Sequence, residues 1–168
     1  IKKSIEADIV NAYDTETGLV KGESSFLDWR EQTYPRWMQP ADIYESECLG
    51  TNAVHYQANI ILSKMAKILN DEEVAVRHSK IAEHIKEGIN KHLWLEDKGY
   101  YAQYLYGRNF KSVSSRSEAL GEALCVIFGI SNAERSKKIV SSVPVTDYAI
   151  SCIYPQIPNI PPYHNNGV

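Results

Sequence analysis

No apolar run in the sequence approaches the ~20 residues needed to span a bilayer, so a helical membrane anchor is not expected. Charge of one sign is not in excess either, with 18 Lys and Arg against 21 Asp and Glu, a net charge of -3. That balance offers no electrostatic pull toward nucleic acid or an anionic membrane, and neither is expected as a partner. Cysteine is sparse: Cys48, Cys125 and Cys152 lie far apart without CxxC spacing. This argues against a zinc ribbon or redox pair and for free, mostly buried thiols. His55, His78, His84 and His92 fall within helical stretches and compose no metal-ligand set, so no metal is expected. GxSxG, P-loop and dinucleotide fingerprints are all missing, which removes the familiar signatures of serine hydrolases and nucleotide enzymes. Phenylalanine is scarce as well, three against eleven Tyr. Rings with a polar tip suit wet, amphipathic surfaces as well as helix edges.

What is present is helical periodicity. Residues 1 to 13 read as the end of a helix, with Ile5, Ile9 and Ala12 at helical spacing, closed by the turn signal Asp14-Thr15-Glu16-Thr17-Gly18. Pro35 and Pro40 keep 34 to 48 irregular. From Thr51, a plausible N-cap, Val54, Ala58, Ile61, Met65 and Ile68 recur at three- and four-residue steps, widened by Tyr56, Leu62 and Ala66. A helix apolar on most faces is buried on most faces. Asp71 then caps a clearly amphipathic helix over 72 to 93, with Val74, His78, Ile81, Ile85 and Ile89 on one face. Trp94 to Phe110 is non-helical, and the Tyr-rich run 99 to 107 reads as a short strand or hairpin. A second broadly apolar helix follows from Ala119 to Phe128, and an outer-type helix from Asn132 to Val143 is stopped by Pro144.

The order is outer helix, long loop, inner helix, short turn, outer helix, repeated with a period of about 65 residues. Every long loop therefore enters the N-terminus of an inner helix, and all long loops share one face. The fold class expected is all-α, built of antiparallel helical hairpins, in one domain spanning 1 to 168. The chain opens on Ile1 and stops at Val168 just after a chemically loaded loop, and the expectation is an excerpt of a longer protein.

The chemistry concentrates in Glu23-Ser24-Ser25-Phe26-Leu27-Asp28-Trp29-Arg30-Glu31-Gln32-Thr33-Tyr34-Pro35-Arg36-Trp37. Loops that carry acidic, basic and aromatic residues on a rigid scaffold are where binding and catalysis gather. Asp28 is the candidate acid, desolvated by Phe26 and Trp29; the alternative is a carboxylate merely paired with Arg30. Trp29, Tyr34 and Trp37 can stack on sugar rings or fill the loop's own core. Arg30, Glu47, Arg116, Glu118, Tyr163 and His164 are candidate ligand-contacting residues on the same face. First-turn helix charge explains Glu47 almost as well, and it is the better account of Glu118.

These features resemble the six-hairpin glycosidases, whose members include trehalases, processing α-glucosidases of the glucosidase I type, glucoamylases and α-L-rhamnosidases. Three pieces carry the resemblance. They are the 23–37 stretch, closest to the trehalase and glucosidase I motif; the hairpin from Thr51 to Trp94 leading into Gly99-Tyr100-Tyr101; and Tyr163-His164-Asn165-Asn166-Gly167-Val168. The resemblance implies part of an (α/α)6 toroid, about two and a half of its hairpins, the rest of the toroid lying outside this chain. It implies a glycoside hydrolase acting on a carbohydrate by inversion, without an organic cofactor, with Asp28 as general acid. The partner base then lies beyond this chain, since inverting enzymes need a second carboxyl ~6.5–9.5 Å away. Two alternatives stay open, a sugar epimerase or polysaccharide lyase on the same scaffold, and a non-catalytic glycan- or protein-binding helical module.

Overall fold

The computed structural model describes residues 1–22, 34–35, 37–147 and 149–158. Two helical hairpins form its body, preceded by helix α1 (Lys2–Ala12). In the first hairpin, α3 (Leu49–Ile68) runs into α4 (Glu72–His92) through the turn at Asn70, whose φ of 58° closes it. The Asp71 side chain accepts from Val74 N–H at 3.2 Å, the cap its position predicts. Val74, His78, Ile85 and Ile89 make the inward face of α4, as the periodicity predicts, and all four are buried. The second hairpin is α5 (Ala119–Ile127) and α6 (Ala133–Ser142), with Asn132 as the N-cap of α6, accepting from Arg135 N–H at 2.8 Å. A short helix, α2 (Pro40–Tyr44), sits in the stretch expected to be irregular, with Pro at its first position where the missing N–H costs nothing.

The expectation of an all-α chain does not hold. Of the described residues 52% are helical and 15% lie in strands. The strands are two- and three-residue pieces, and they occupy the long connections rather than the helices. The outer helices α1 and α4 each end in a tight β-hairpin: β1 (Tyr13–Asp14) with β2 (Leu19–Val20) after α1, and β4 (Trp94–Leu95) with β5 (Tyr100–Tyr101) after α4. Gly18 and Gly99 supply the positive φ, 74° and 73°, that closes the two turns. Each inner helix is entered from a strand, β3 (Glu47–Cys48) before α3 and β8 (Ser117–Glu118) before α5. β3 pairs antiparallel with β6 (Tyr104–Tyr106), which carries β7 (Ser112–Val113) on its other edge, while β8 pairs with β9 (Ile153–Tyr154). The physical reason is the accounting of backbone polar groups. These connections are buried where they cross the helix ends, so their N–H and C=O groups must pair, and short antiparallel ladders do it.

The main core lies between the hairpins, where Leu19, Leu49, Ile85, Ile89, Leu93 and Tyr101 have almost no exposed surface. The inner helix α3 packs against α4, α5 and α1, yet one stripe of it stays open among the described residues. Ile61, Met65 and Ile68, part of the stripe read as buried, are 45%, 40% and 79% exposed. No described helix is long and apolar enough to cross a membrane.

Candidate functional site

The pole formed by the N-termini of α3 and α5 gathers the described residues singled out from sequence. Its base is Asn52, one turn into α3. The Asn52 Oδ1 accepts from Val20 N–H at 2.7 Å, and its Nδ2 donates to Val20 O at 3.0 Å and Cys48 O at 2.9 Å. This buried amide fixes β2 against the start of α3. Gly22 follows, donating to Ser46 O at 2.8 Å and accepting from Ser46 Oγ at 3.3 Å and Cys48 Sγ at 3.5 Å. Tyr34 returns to the same point, its hydroxyl 3.5 Å from Cys48 Sγ. Both flanks of 23–33 therefore converge on Cys48, the residue just before α3. Asp28, Trp29 and Arg30 themselves lie outside the described residues, as do Tyr163 and His164.

Tyr34 is 7% exposed and stands in a small core with Met38, Cys48 and Tyr104. Trp37 is 57% exposed, with its ring 5.5 Å from Tyr106, which in turn lies 5.9 Å from Tyr104. Of these four rings Trp37 offers the open face; Tyr34 and Tyr104 are the wall behind it. Arg116, in the approach to β8, accepts at its carbonyl from Gln103 N–H at 2.6 Å, and Gln103 O accepts from Leu49 N–H at 2.8 Å. The backbone of that one residue joins the approach to α5 to the first residue of α3. The Arg116 Nε is buried without a hydrogen-bond partner among the described residues.

Three buried glutamates surround this junction. Glu47 has no exposed surface, and Lys111 Nζ stands 2.7 Å from its Oε1. Burial raises its pKa, and Lys111 partly offsets that. Glu118, equally buried, meets no cation within ion-pair distance among the described residues. The N–H groups of Gly50 and Gly121 face its carboxyl and favour the ionised form, yet neither closes to full hydrogen-bond geometry. Burial wins, and the Glu118 carboxyl is pushed up to about 7. Glu122, one turn further on, accepts from Tyr101 N–H at 2.8 Å and from Ser117 Oγ at 3.4 Å. Its burial, with Glu118 as a like-charged neighbour, pushes it up to about 9. Beside the pole lies a polar cavity of about 420 Å³. Its rim is held by ion pairs of Lys21 with Glu45 (2.9 Å) and Asp14 (3.5 Å) and of Arg108 with Asp42 (2.8 Å). No group of three or more His, Cys, Asp or Glu among the described residues could hold a metal ion.

Glu122 escaped the sequence reading, and so did the relation between Glu47 and Glu118. The signal was there: Ser46-Glu47-Cys48-Leu49-Gly50 recurs as Ser117-Glu118-Ala119-Leu120-Gly121, an internal repeat of Ser-Glu-x-Leu-Gly. The β-hairpins repeat too, with an aromatic residue five positions before the turn glycine in Tyr13…Gly18 and Trp94…Gly99.

Residues 5–148 match the family model described as the bacterial α-L-rhamnosidase six-hairpin glycosidase domain. The chain belongs to that family. Among solved structures, a GH78 family rhamnosidase of Bacillus sp. GL1 superposes with a TM-score of 0.62 at 18% identity, covering 84% of this chain. A sugar epimerase from a ruminal bacterium superposes with a TM-score of 0.58 at 11% identity, covering 90% of this chain. The match spans 14% of the rhamnosidase chain and 38% of the epimerase chain. No curated protein matches the sequence. At these identities the structures speak for the shared scaffold of the six-hairpin domain and for nothing finer.

Proposed function

We propose that this chain is part of the catalytic domain of a glycoside hydrolase, and that the pole at the N-termini of α3 and α5 belongs to its sugar site. The observation that carries the reading, beyond family membership, is the convergence of Gly22 and Tyr34 on Cys48. It ties both ends of the stretch holding Asp28 to an inner-helix N-terminus, where backbone N–H groups and the helix dipole favour polar ligands. Asp28 serves as general acid, protonating the departing glycosidic oxygen. A base contributed by the rest of the polypeptide activates water on the opposite face of the sugar, giving inversion. Trp37 supplies an exposed ring for the C–H face of a sugar, with Trp29 beside Asp28 in sequence. Arg30, Arg116, Tyr163 and His164 hold hydroxyl groups, and Glu47 stands behind Lys111 at the same pole. Tyr34 and Glu118 act from within, shaping the wall rather than touching substrate. The remaining hairpins of the domain cover the exposed stripe of α3.

The experiment is Asp28→Asn in the full-length enzyme, assayed on an aryl α-L-rhamnoside, with sugar binding followed by calorimetry. Turnover falls by at least ~10³-fold while binding survives, the magnitude of a lost general acid at the upper end of its usual contribution. An unchanged kcat removes Asp28 from this role.

The epimerase neighbour favours a second reading, isomerisation of a free sugar on the same scaffold. Incubation in D2O separates the two: an epimerase exchanges a carbon-bound hydrogen of the sugar for deuterium, and a hydrolase does not.

A further inference from the structure

We propose that Glu118 is the positioning residue of this pole: its carboxyl, wedged between the N-termini of α3 and α5, fixes β8 and thereby the place of Arg116. The inference rests on the reading of the pole as a sugar site and names what holds that site in register.

The fit is steric first. A Cβ added to Gly50 would stand 2.7 Å from Glu118 Oε1, closer than real Cβ contacts come. A Cβ on Gly121 would meet Leu49 Cγ at 2.8 Å and Gly50 N at 3.0 Å. The two glycines of the Ser-Glu-x-Leu-Gly repeat thus let the inner helices touch at their first turns, and the Glu118 carboxyl fills the space beside them. Glu118 occupies the N-cap position of α5 in extended conformation, φ -120° and ψ 113°, but its side chain does not cap its own helix. It lies between the two helix starts instead, facing the Gly50 N–H of α3 and the Gly121 N–H of α5.

The charges facing it explain why it stays there. From α5 it meets the Gly121 N–H, the Glu122 carboxyl and the Cys125 thiol, and from α3 the Gly50 N–H. Across the ladder its partner on β9 is Ile153. Among the described residues no cation draws the carboxyl outward, and two N–H dipoles at helix N-termini hold it in. Any displacement of Glu118 passes along β8 to Arg116, whose carbonyl is tied through the Gln103 backbone to Leu49 at the head of α3. Glu118 acts on ligand through these neighbours and not by contact, since it has no exposed surface.

The test uses the full-length enzyme with Gly50→Ala, Glu118→Ala, the double variant, and Glu118→Gln. Gly50→Ala raises KM about tenfold with kcat within threefold of wild type, because the site is shifted while the chemistry is intact. Adding Glu118→Ala to it recovers at least threefold of that loss, since the methyl group enters the space the carboxyl vacates. Glu118→Gln matches wild type at pH 6 and departs from it only above about pH 7, where the native carboxyl ionises. Strictly additive effects of Gly50→Ala and Glu118→Ala would falsify the contact, and a fall in kcat with unchanged KM reduces Glu118 to a folding element. A Glu118→Gln enzyme inactive at pH 6 with native circular dichroism overturns the proposal in favour of direct chemistry. The same additivity read in unfolding midpoints needs no substrate, so a failure of the sugar-site reading leaves the clamp separately testable.

Discussion

Glu47 and Glu118 occupy the same position in two copies of one five-residue motif, each lying in a two-residue strand that leads into an inner helix. Both have no exposed surface. Their environments nevertheless differ in kind. Glu47 has Lys111 at 2.7 Å, delivered by the loop after β6. Glu118 has Gly50, Gly121 and the Glu122 carboxyl, with no cation among the described residues. The first is an ion pair at the edge of a polar cavity; the second belongs to a cluster of carboxyls that burial keeps partly protonated. Local sequence sets the backbone path, and the partner that arrives from elsewhere sets the charge state.

The comparison is most exposed to failure at Glu122. In an unfolded chain its carboxyl titrates near its ordinary value, 4.5, while in the folded chain it is pushed up to about 9. The folded state binds the extra proton over that interval, so its contribution to stability is complete at low pH and falls as pH rises toward 9. Glu122→Gln retains an acceptor for Tyr101 N–H and abolishes the titration. Denaturant unfolding from pH 5 to pH 9 should show wild type losing stability relative to the variant by about 3 kcal/mol, discounted for coupling to Glu118. Parallel curves would remove the carboxyl cluster from the comparison.

Lys111→Met probes the other copy. It leaves Glu47 buried without its cation, and the carboxyl answers by taking a proton rather than standing charged. A loss of about 2 kcal/mol is expected, below the usual cost of orphaning a fully buried charge because the Lys111 side chain is 26% exposed. The loss should be largest near neutral pH and shrink in acid, where wild-type Glu47 is itself protonated. Urea unfolding at pH 4.5 and 7 measures both.

The smallest effect on stability belongs to Trp37→Ala. The ring is 57% exposed and touches Tyr106, so unfolding should change by under ~1 kcal/mol, while affinity for a glycoside falls severalfold through the lost stacking face. An unaltered affinity would leave Trp37 as a surface ring only.

Much of the fold was legible in the residues. The three- and four-residue spacing of apolar side chains located both hairpins, and Asp71 and the inward face of α4 followed from it directly. The strands were not legible in the same way. Pieces of two residues carry no period, and their pairing satisfies backbone groups buried by helices far away in sequence. Burial of individual rings was equally hidden, since Tyr34 and Trp37 lie in one stretch and differ only in what covers them. Ile61 and Met65 show the converse, apolar and at helical spacing yet exposed where the described residues offer α3 no neighbour.

The sequence by itself determined the alternation of outer and inner helices and, through it, that every long connection enters an inner-helix N-terminus. It also held the repeat Ser-Glu-x-Leu-Gly, which sets a glutamate and a glycine at the head of each inner helix. Only the tertiary structure decided that the glutamate of the second copy lies on the glycine of the first, and that among the described residues Lys111 reaches Glu47 while no lysine reaches Glu118. The reason is that a side chain's charge and exposure are properties of its surroundings, and those surroundings arrive from parts of the chain that no local pattern can name.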